Sequence, residues 1–158
     1  MKLYLVQHGE AKPEEEDPLR SLSEKGIEDV RKMANYASKR LSIKVERIFH
    51  SGKLRAKQTA EELAKGVDVG RGIEESKELE PLADPKFWVE KLAKIDKDTM
   101  LVGHMPHLNK LSSLLLSGDE TKKIIQFKTA GIVCLERDER NNWSVLWIVI
   151  PEIIPENQ

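Results

Sequence analysis

The sequence predicts an α/β fold of three layers, α/β/α, around a mainly parallel sheet with an antiparallel edge hairpin. Three observations carry this reading. Residues 2–6, 45–49 and 99–103 are short apolar runs of strand length, each closing beside a histidine and a turn. Stretches with apolar residues at helical spacing separate them. Two more apolar runs, 130–137 and 143–150, flank the turn-rich Asp138-Glu139-Arg140-Asn141-Asn142 and read as a hairpin. Strands that alternate with helices pair in parallel, and a closing hairpin adds an antiparallel edge.

Taken in order, the first strand stops at Gln7-His8-Gly9-Glu10-Ala11, and the acidic, proline-bounded 12–18 continues neither strand nor helix. Ser23 is placed to cap the first helix, whose buried stripe is Ile27, Val30, Met33 or Ala34, Ala37 and Leu41. The second strand ends at His50-Ser51-Gly52, and a helix over 53–65 follows, with Leu54, Ala60, Leu63 and Ala64 inward. Residues 66–84, with three glycines and many acids, read as loop with room for one short strand. Asp84-Pro85 starts a helix as N-cap and first-turn proline, with Trp88, Leu92 and Ile95 inward. The third strand ends at His104, and Pro106 opens a helix with Leu108, Leu111, Leu114 and Leu115 on its apolar face. Trp143 and Trp147, four apart on a strand, are expected on one face, as packing. Pro151 and Pro155 mark an irregular tail.

The 158 residues suit one domain, expected over 1–150, with 151–158 as a tail. Such a chain buries about 68–70% of its unfolded surface and needs no staple. The lone Cys134 lies in an apolar run and is read as core, which fits a reducing compartment. The N-terminus lacks the pattern of a signal peptide, and no run is long enough to span a bilayer, so a cytoplasmic location is expected. Twenty-six basic and 27 acidic residues leave a net charge of −1, which supplies no global field for nucleic acid. No membrane or nucleic-acid partner is expected.

If the strands are parallel, their carboxyl ends share the sheet edge where ligands collect in such folds. His8, His50 and His104 would then converge. Lys53, Arg55 and Lys57 fall at the start of the second helix, where cations oppose the helix dipole by about 0.3–1 kcal/mol each. Lysines facing water need no explanation there. An arginine on another face is worth that cost when it meets an anion, and helix N-termini themselves bind phosphate. Pro106 directs the backbone N–H groups of its helix toward the same edge. His104 and His107 have no neighbouring carboxylate motif, so no metal or other cofactor is expected; His107 is read as supporting or surface, and His50 as structural.

These motifs, in this order, resemble those of the histidine phosphatase superfamily. Gln7-His8-Gly9-Glu10-Ala11 is similar to its Arg-His-Gly signature, and Leu22-Ser23-Glu24-Lys25-Gly26 to its helix start. Residues 51–59, Ser-Gly-Lys-Leu-Arg-Ala-Lys-Gln-Thr, resemble its Ser-x-x-x-Arg-Ala-x-Gln-Thr motif, and Val102-Gly103-His104-Met105-Pro106 its second-histidine motif. The short chain, without a long inserted cap, is most similar to SixA-type phosphohistidine phosphatases. The resemblance implies a phosphoglycerate-mutase-like fold and a hydrolase. His8 would attack phosphorus and become phosphohistidine, and Arg55 and His104 would hold the phosphoryl oxygens. Gln7, Gly9 and Ser51 would join Arg55 in binding, with Gly9 bringing the backbone close enough to hold the second ring nitrogen of His8. The implied partner is a phosphorylated protein or a small phosphorylated substrate.

One departure stands out. The family has arginine where this chain has Gln7, and an amide has neither charge nor guanidinium fork. Losing one such donor typically costs about 2.7–4 kcal/mol of barrier. Arg20, Lys12 or Lys53 could complete the clamp. Two alternatives stay open: a phosphoprotein- or phosphate-binding module with weakened catalysis, and a small-molecule phosphatase. Glu78, Glu80 and Asp84 are the carboxylates placed to act as a general acid, and no motif selects among them. Glu14-Glu15-Glu16-Asp17 reads as a solvated loop beside the cleft.

Overall fold

A computed structural model describes residues 1–156. Its elements in chain order are β1 (Lys2–Gln7), α1 (Glu24–Tyr36), β2 (Lys44–Val45), β3 (Arg47–His50), α2 (Leu54–Leu63), β4 (Asp68–Val69), β5 (Ile73–Glu75), α3 (Lys86–Ala93), β6 (Thr99–Gly103), α4 (His107–Ser117), β7 (Ile132–Arg137) and β8 (Trp143–Val149). Six strands form the central sheet in the order β5-β3-β6-β1-β7-β8. The first four are mutually parallel, and β7 and β8 add the antiparallel edge. The architecture is the α/β one that the sequence predicts.

Alternation sorts the core into two layers. Tyr4, Val6, Ile48, Met100, Val102, Ile132 and Cys134 point to one face, packed with α1 and α2. Leu3, Leu5, Phe49, Leu101, Val133 and Leu135 point to the other, packed with Trp88 and Leu92 of α3 and Leu108 and Leu111 of α4. A parallel sheet covered on both faces needs such near-continuous apolar strands, and each fully buried Leu or Val contributes about 1.5–3 kcal/mol.

Local chemistry sets the helix ends. The Ser23 hydroxyl accepts the Gly26 N–H, capping α1 as expected. A Cβ at Gly26 would lie 2.0 Å from the Glu10 carbonyl oxygen, so only glycine lets α1 start against the chain leaving β1. Asp84 Oδ1 accepts the Lys86 N–H at the start of α3, and left-handed Gly118 closes α4.

Several expectations need correction. The second apolar run is two strands: Lys44–Val45 pairs with Asp68–Val69 in a separate two-stranded sheet, and only Arg47–His50 joins the central one. Residues 66–84 hold two short strands and a 3-10 turn, Lys77–Leu79, whose Leu79 is fully buried. Leu54, Ala64, Ile95, Leu114 and Leu115 are only partly buried. Trp143 and Trp147 lie on opposite faces. The β7–β8 register shifts between Cys134 and Leu135, whose partners are Trp147 and Val145. The skipped residue inverts the alternation, so Trp147 packs near Tyr4 and Trp143 against Arg137. The tail is not irregular throughout: Pro151–Ile153 forms a 3-10 turn and Ile154 is buried against the α1 layer, while 157–158 lie outside the described residues.

Candidate active site

Parallel pairing brings the predicted residues to one edge. Gln7 pairs with Gly103, so His8 and His104 each stand one residue past the last paired row. The His8 backbone N–H donates to the Gly103 carbonyl (3.1 Å), and the two rings lie 4.9 Å apart between centroids.

His8 Nδ1 is 2.6 Å from the Gly9 carbonyl oxygen. A carbonyl only accepts, so Nδ1 carries the proton and the lone pair of the neutral ring is on Nε2. Gly9 is itself fixed. Its N–H donates to Thr59 Oγ1 (2.9 Å), whose hydroxyl donates to the Arg55 carbonyl (2.7 Å). A Cβ at Gly9 would come within 2.7 Å of Val30. The start of α2 thus holds the turn that holds His8. Burial above all lowers the His8 pKa from 6.5 to about 4; Arg55 and Arg20 push the same way, against the Gly9 hydrogen bond.

His104 is buried, and its Nε2 lies 2.6 Å from the Ser51 hydroxyl. Ser51 also accepts the Lys53 N–H (3.3 Å), which joins His104 to the start of α2. Burial, followed by the charges of His8, Arg55, Lys53 and His107, lowers the His104 pKa to about 3. Both imidazoles are therefore neutral at pH 7. Arg55 sits in the first turn of α2, its pKa lowered by burial and by Arg20. Its Nε and His104 Nδ1 are buried without a partner among the described residues, and neither Arg55 nor Arg20 forms an ion pair there.

The remaining predicted residues fall elsewhere. His50 pairs with Val102, two rows inside His104, and its Nδ1 accepts the Gly52 N–H (3.0 Å). His107 is not at the surface: it is wholly buried, both ring nitrogens lack partners among the described residues, and burial lowers its pKa to about 4 against the pull of Asp84. Pro85, not Asp84, is the N-cap of α3; Asp84 is engaged with the Lys86 N–H, and Glu78 and Glu80 flank the buried Leu79. No carboxylate figures among the charges that act on His8 or His104. The acidic loop is ordered by one of its own members: Asp17 accepts the N–H groups of Leu19 and Ser21 and the Ser21 hydroxyl. Among the described residues, no group of three or more His, Cys, Asp or Glu could hold a metal, and no helix is long and apolar enough to cross a membrane.

Sequence reasoning assigned no task to Thr59 or Gln58, although both lie in the 51–59 motif. Gln58 Oε1 accepts the Leu22 N–H (2.7 Å), tying the loop before α1 to α2. It also missed Glu75, whose carboxylate lies against Gly52: a Cβ there would be 2.7 Å from Glu75 Cδ, so the φ of +92° and the contact both call for glycine.

A parallel sheet whose carboxyl edge gathers neutral imidazoles and unpaired guanidinium groups has the layout of a phosphoryl-handling hydrolase. The chain belongs to the histidine phosphatase superfamily (branch 1), whose sequence profile matches residues 3–81, half of its length. It is 27% identical over 156 residues to the phosphohistidine phosphatase SixA of Escherichia coli K12, covering 96% of this chain and 94% of that protein. A solved structure of the protein histidine phosphatase SixA with tungstate superposes with a TM-score of 0.82 at 27% identity, covering 96% of this chain and 97% of that one. The alpha-ribazole phosphatase of Shigella flexneri shares the fold at 14% identity, with a TM-score of 0.73 and coverage of 92% and 94%.

Proposed function

We propose that this phosphatase removes the phosphoryl group from phosphohistidine in a protein, by way of a phosphohistidine intermediate on His8. The observation that supports it most is the His8–Gly9 hydrogen bond, which presents Nε2 unprotonated beside His104. In the first step the Nε2 lone pair forms a bond to phosphorus as the substrate's P–N bond breaks. The bonding pair leaves with the substrate imidazole, which departs neutral when its other nitrogen carries a proton. His8 keeps its proton on Nδ1 and becomes a protonated phosphoimidazole. One P–N bond replaces another, so the step needs no strong acid. Water then attacks phosphorus, releasing phosphate and neutral His8.

Arg55 and His104 are assigned to the phosphoryl oxygens, where positioning and charge stabilisation provide most of phosphoryl-transfer catalysis. Gly9 orients the nucleophile and Ser51 orients His104. Gln7, half-buried at the end of β1, contributes at most neutral hydrogen bonds. The SixA relative was solved in complex with tungstate, an oxyanion, which supports reading this chain as an oxyanion binder.

A substrate panel tests the reading. Initial rates are compared for a phosphohistidine protein, aryl phosphates and sugar phosphates. The phosphohistidine protein is expected to be turned over fastest. A higher kcat/KM for a small phosphate would make this a small-molecule phosphatase, and tight phosphate binding without turnover of any substrate would make it a binding module.

A further inference from the structure

Gln7 leaves the phosphoryl site one positive charge short, and the structure offers a replacement from the neighbouring loop. We propose that Arg20 makes the charged phosphoryl-oxygen contact that residue 7 cannot make, which rests on reading His8 as the phosphoryl acceptor.

The loop is built to hold Arg20 in place. Its backbone has a φ of +50°, a conformation that side chains other than glycine adopt rarely. Such a residue persists only where its surroundings over-determine it, and here they do. The Arg20 N–H donates to the Asp17 carbonyl (2.8 Å), while the Asp17 carboxylate holds Leu19 and Ser21 on either side. The Lys12 N–H donates to the Ser21 carbonyl (2.8 Å), and Ala11 bridges to Leu22, so Arg20 returns alongside the chain that has just left His8. The Leu22 N–H is held by Gln58, one helical turn beyond Arg55. Leu22, two residues after Arg20, is therefore tied to α2 one turn past Arg55.

The side chain is fixed as well. Nε donates to the Lys12 carbonyl (3.1 Å), and the two terminal nitrogens make no hydrogen bond or ion pair among the described residues. Two guanidinium groups thus share one edge without a carboxylate between them, an arrangement that an entering dianion relieves and bridges with paired bonds. Of the three cations that could complete the clamp, Arg20 alone acts electrostatically on both His8 and Arg55. Lys53 acts on His104, and Lys12 on Asp17.

A double-mutant cycle tests this, with tungstate affinity by calorimetry and kcat for a phosphohistidine protein as readouts. Arg20→Gln is expected to weaken tungstate binding and lower kcat by about 10²-fold, and Arg20→Lys to recover only part because the fork is lost. Gln7→Arg is expected to raise kcat less in the parent protein than in the Arg20→Gln background, where it should restore at least about tenfold. Thermal melts of each variant show whether the loop still folds, and Arg20→Asn, which tolerates a positive φ, provides a second neutral side chain. Equal gains from Gln7→Arg in both backgrounds, or unchanged binding and turnover in folded Arg20→Gln and Arg20→Asn, would overturn the assignment while leaving the His8 reading intact. A parent protein that neither binds tungstate nor forms a phosphoenzyme would overturn both.

Discussion

Three strands of this sheet end at or just before a histidine, and the three rings meet different fates. His8 and His104 face each other beyond the last paired row, while His50 lies two residues further in, level with Val6 and Val102. At about 3.3 Å per residue that is a setback of roughly 7 Å. The setback brings Ser51, not His50, level with the edge, where it contacts His104. His50 is also occupied, its Nδ1 accepting the Gly52 N–H. Being a histidine at a strand end is therefore not enough. Register decides which rings stand at the carboxyl edge of the sheet, and the local hydrogen bond decides which nitrogen is free.

The largest test of this contrast is a pair of matched substitutions. His8→Asn should reduce turnover and phosphoenzyme formation to background, whereas His50→Asn should leave kcat within about threefold and show its effect in a lower melting temperature. Equal losses from both would remove the distinction between the edge pair and the inner ring.

A smaller effect should sharpen it. Thr59 never reaches the edge, but it links Gly9 to α2. Thr59→Val leaves the buried Gly9 N–H unpaired, which costs about 1–3 kcal/mol. The expected result is lower stability in urea unfolding together with about tenfold lower kcat, with KM little changed. Ser51→Ala should act more weakly, through His104 alone, and lower kcat by about three- to tenfold, the worth of one hydrogen bond of 0.5–1.5 kcal/mol. The corresponding loss at Gly52, which serves His50, should leave kcat unmoved.

The smallest effect concerns pH. A free imidazole with a pKa of about 6.5 would lose roughly 25-fold of its neutral form between pH 7 and pH 5. Burial holds His8 at about 4, so initial-rate kcat/KM at pH 5 should stay within about twofold of its pH 7 value. Stability carries the opposite sign. The folded pKa is depressed, so between pH 6.5 and about 4 the unfolded chain takes up protons that folded His8 refuses, and stability falls as pH falls through that window. Urea midpoints at pH 7 and pH 5 measure it. A steep acid loss of activity centred near 6.5 would mean that His8 is an ordinary exposed imidazole.

What the sequence made legible follows from the range of each signal. The layers, the hairpin, the α1 cap and the gathering of His8, Arg55 and His104 depend on local patterns and on parallel pairing, and these could be read. The depth of His50 could not, because it depends on pairing with a strand some fifty residues away. The two tryptophans misled for a related reason: alternation puts them on one face, and a register shift beside Cys134 puts them on two. Short strands such as Ile73–Glu75, exposed at the sheet edge, carry no apolar period to detect. His107 was read as supporting or surface because a lone polar residue at a helix start gives no hint that the fold buries it completely. Thr59 and Gln58 were visible as motif letters, but their tasks lie in hydrogen bonds to Gly9 and Leu22, which no pattern within 51–59 contains.

The most direct test is to trap the intermediate by rapid quench from a phosphohistidine protein and to map the modified nitrogen by mass spectrometry and phosphorus NMR. The expected product is an acid-labile phosphoryl group on Nε2 of His8. A phosphoryl group on His104 or His50, on Nδ1 of His8, or turnover without any phosphoenzyme would contradict the proposed mechanism.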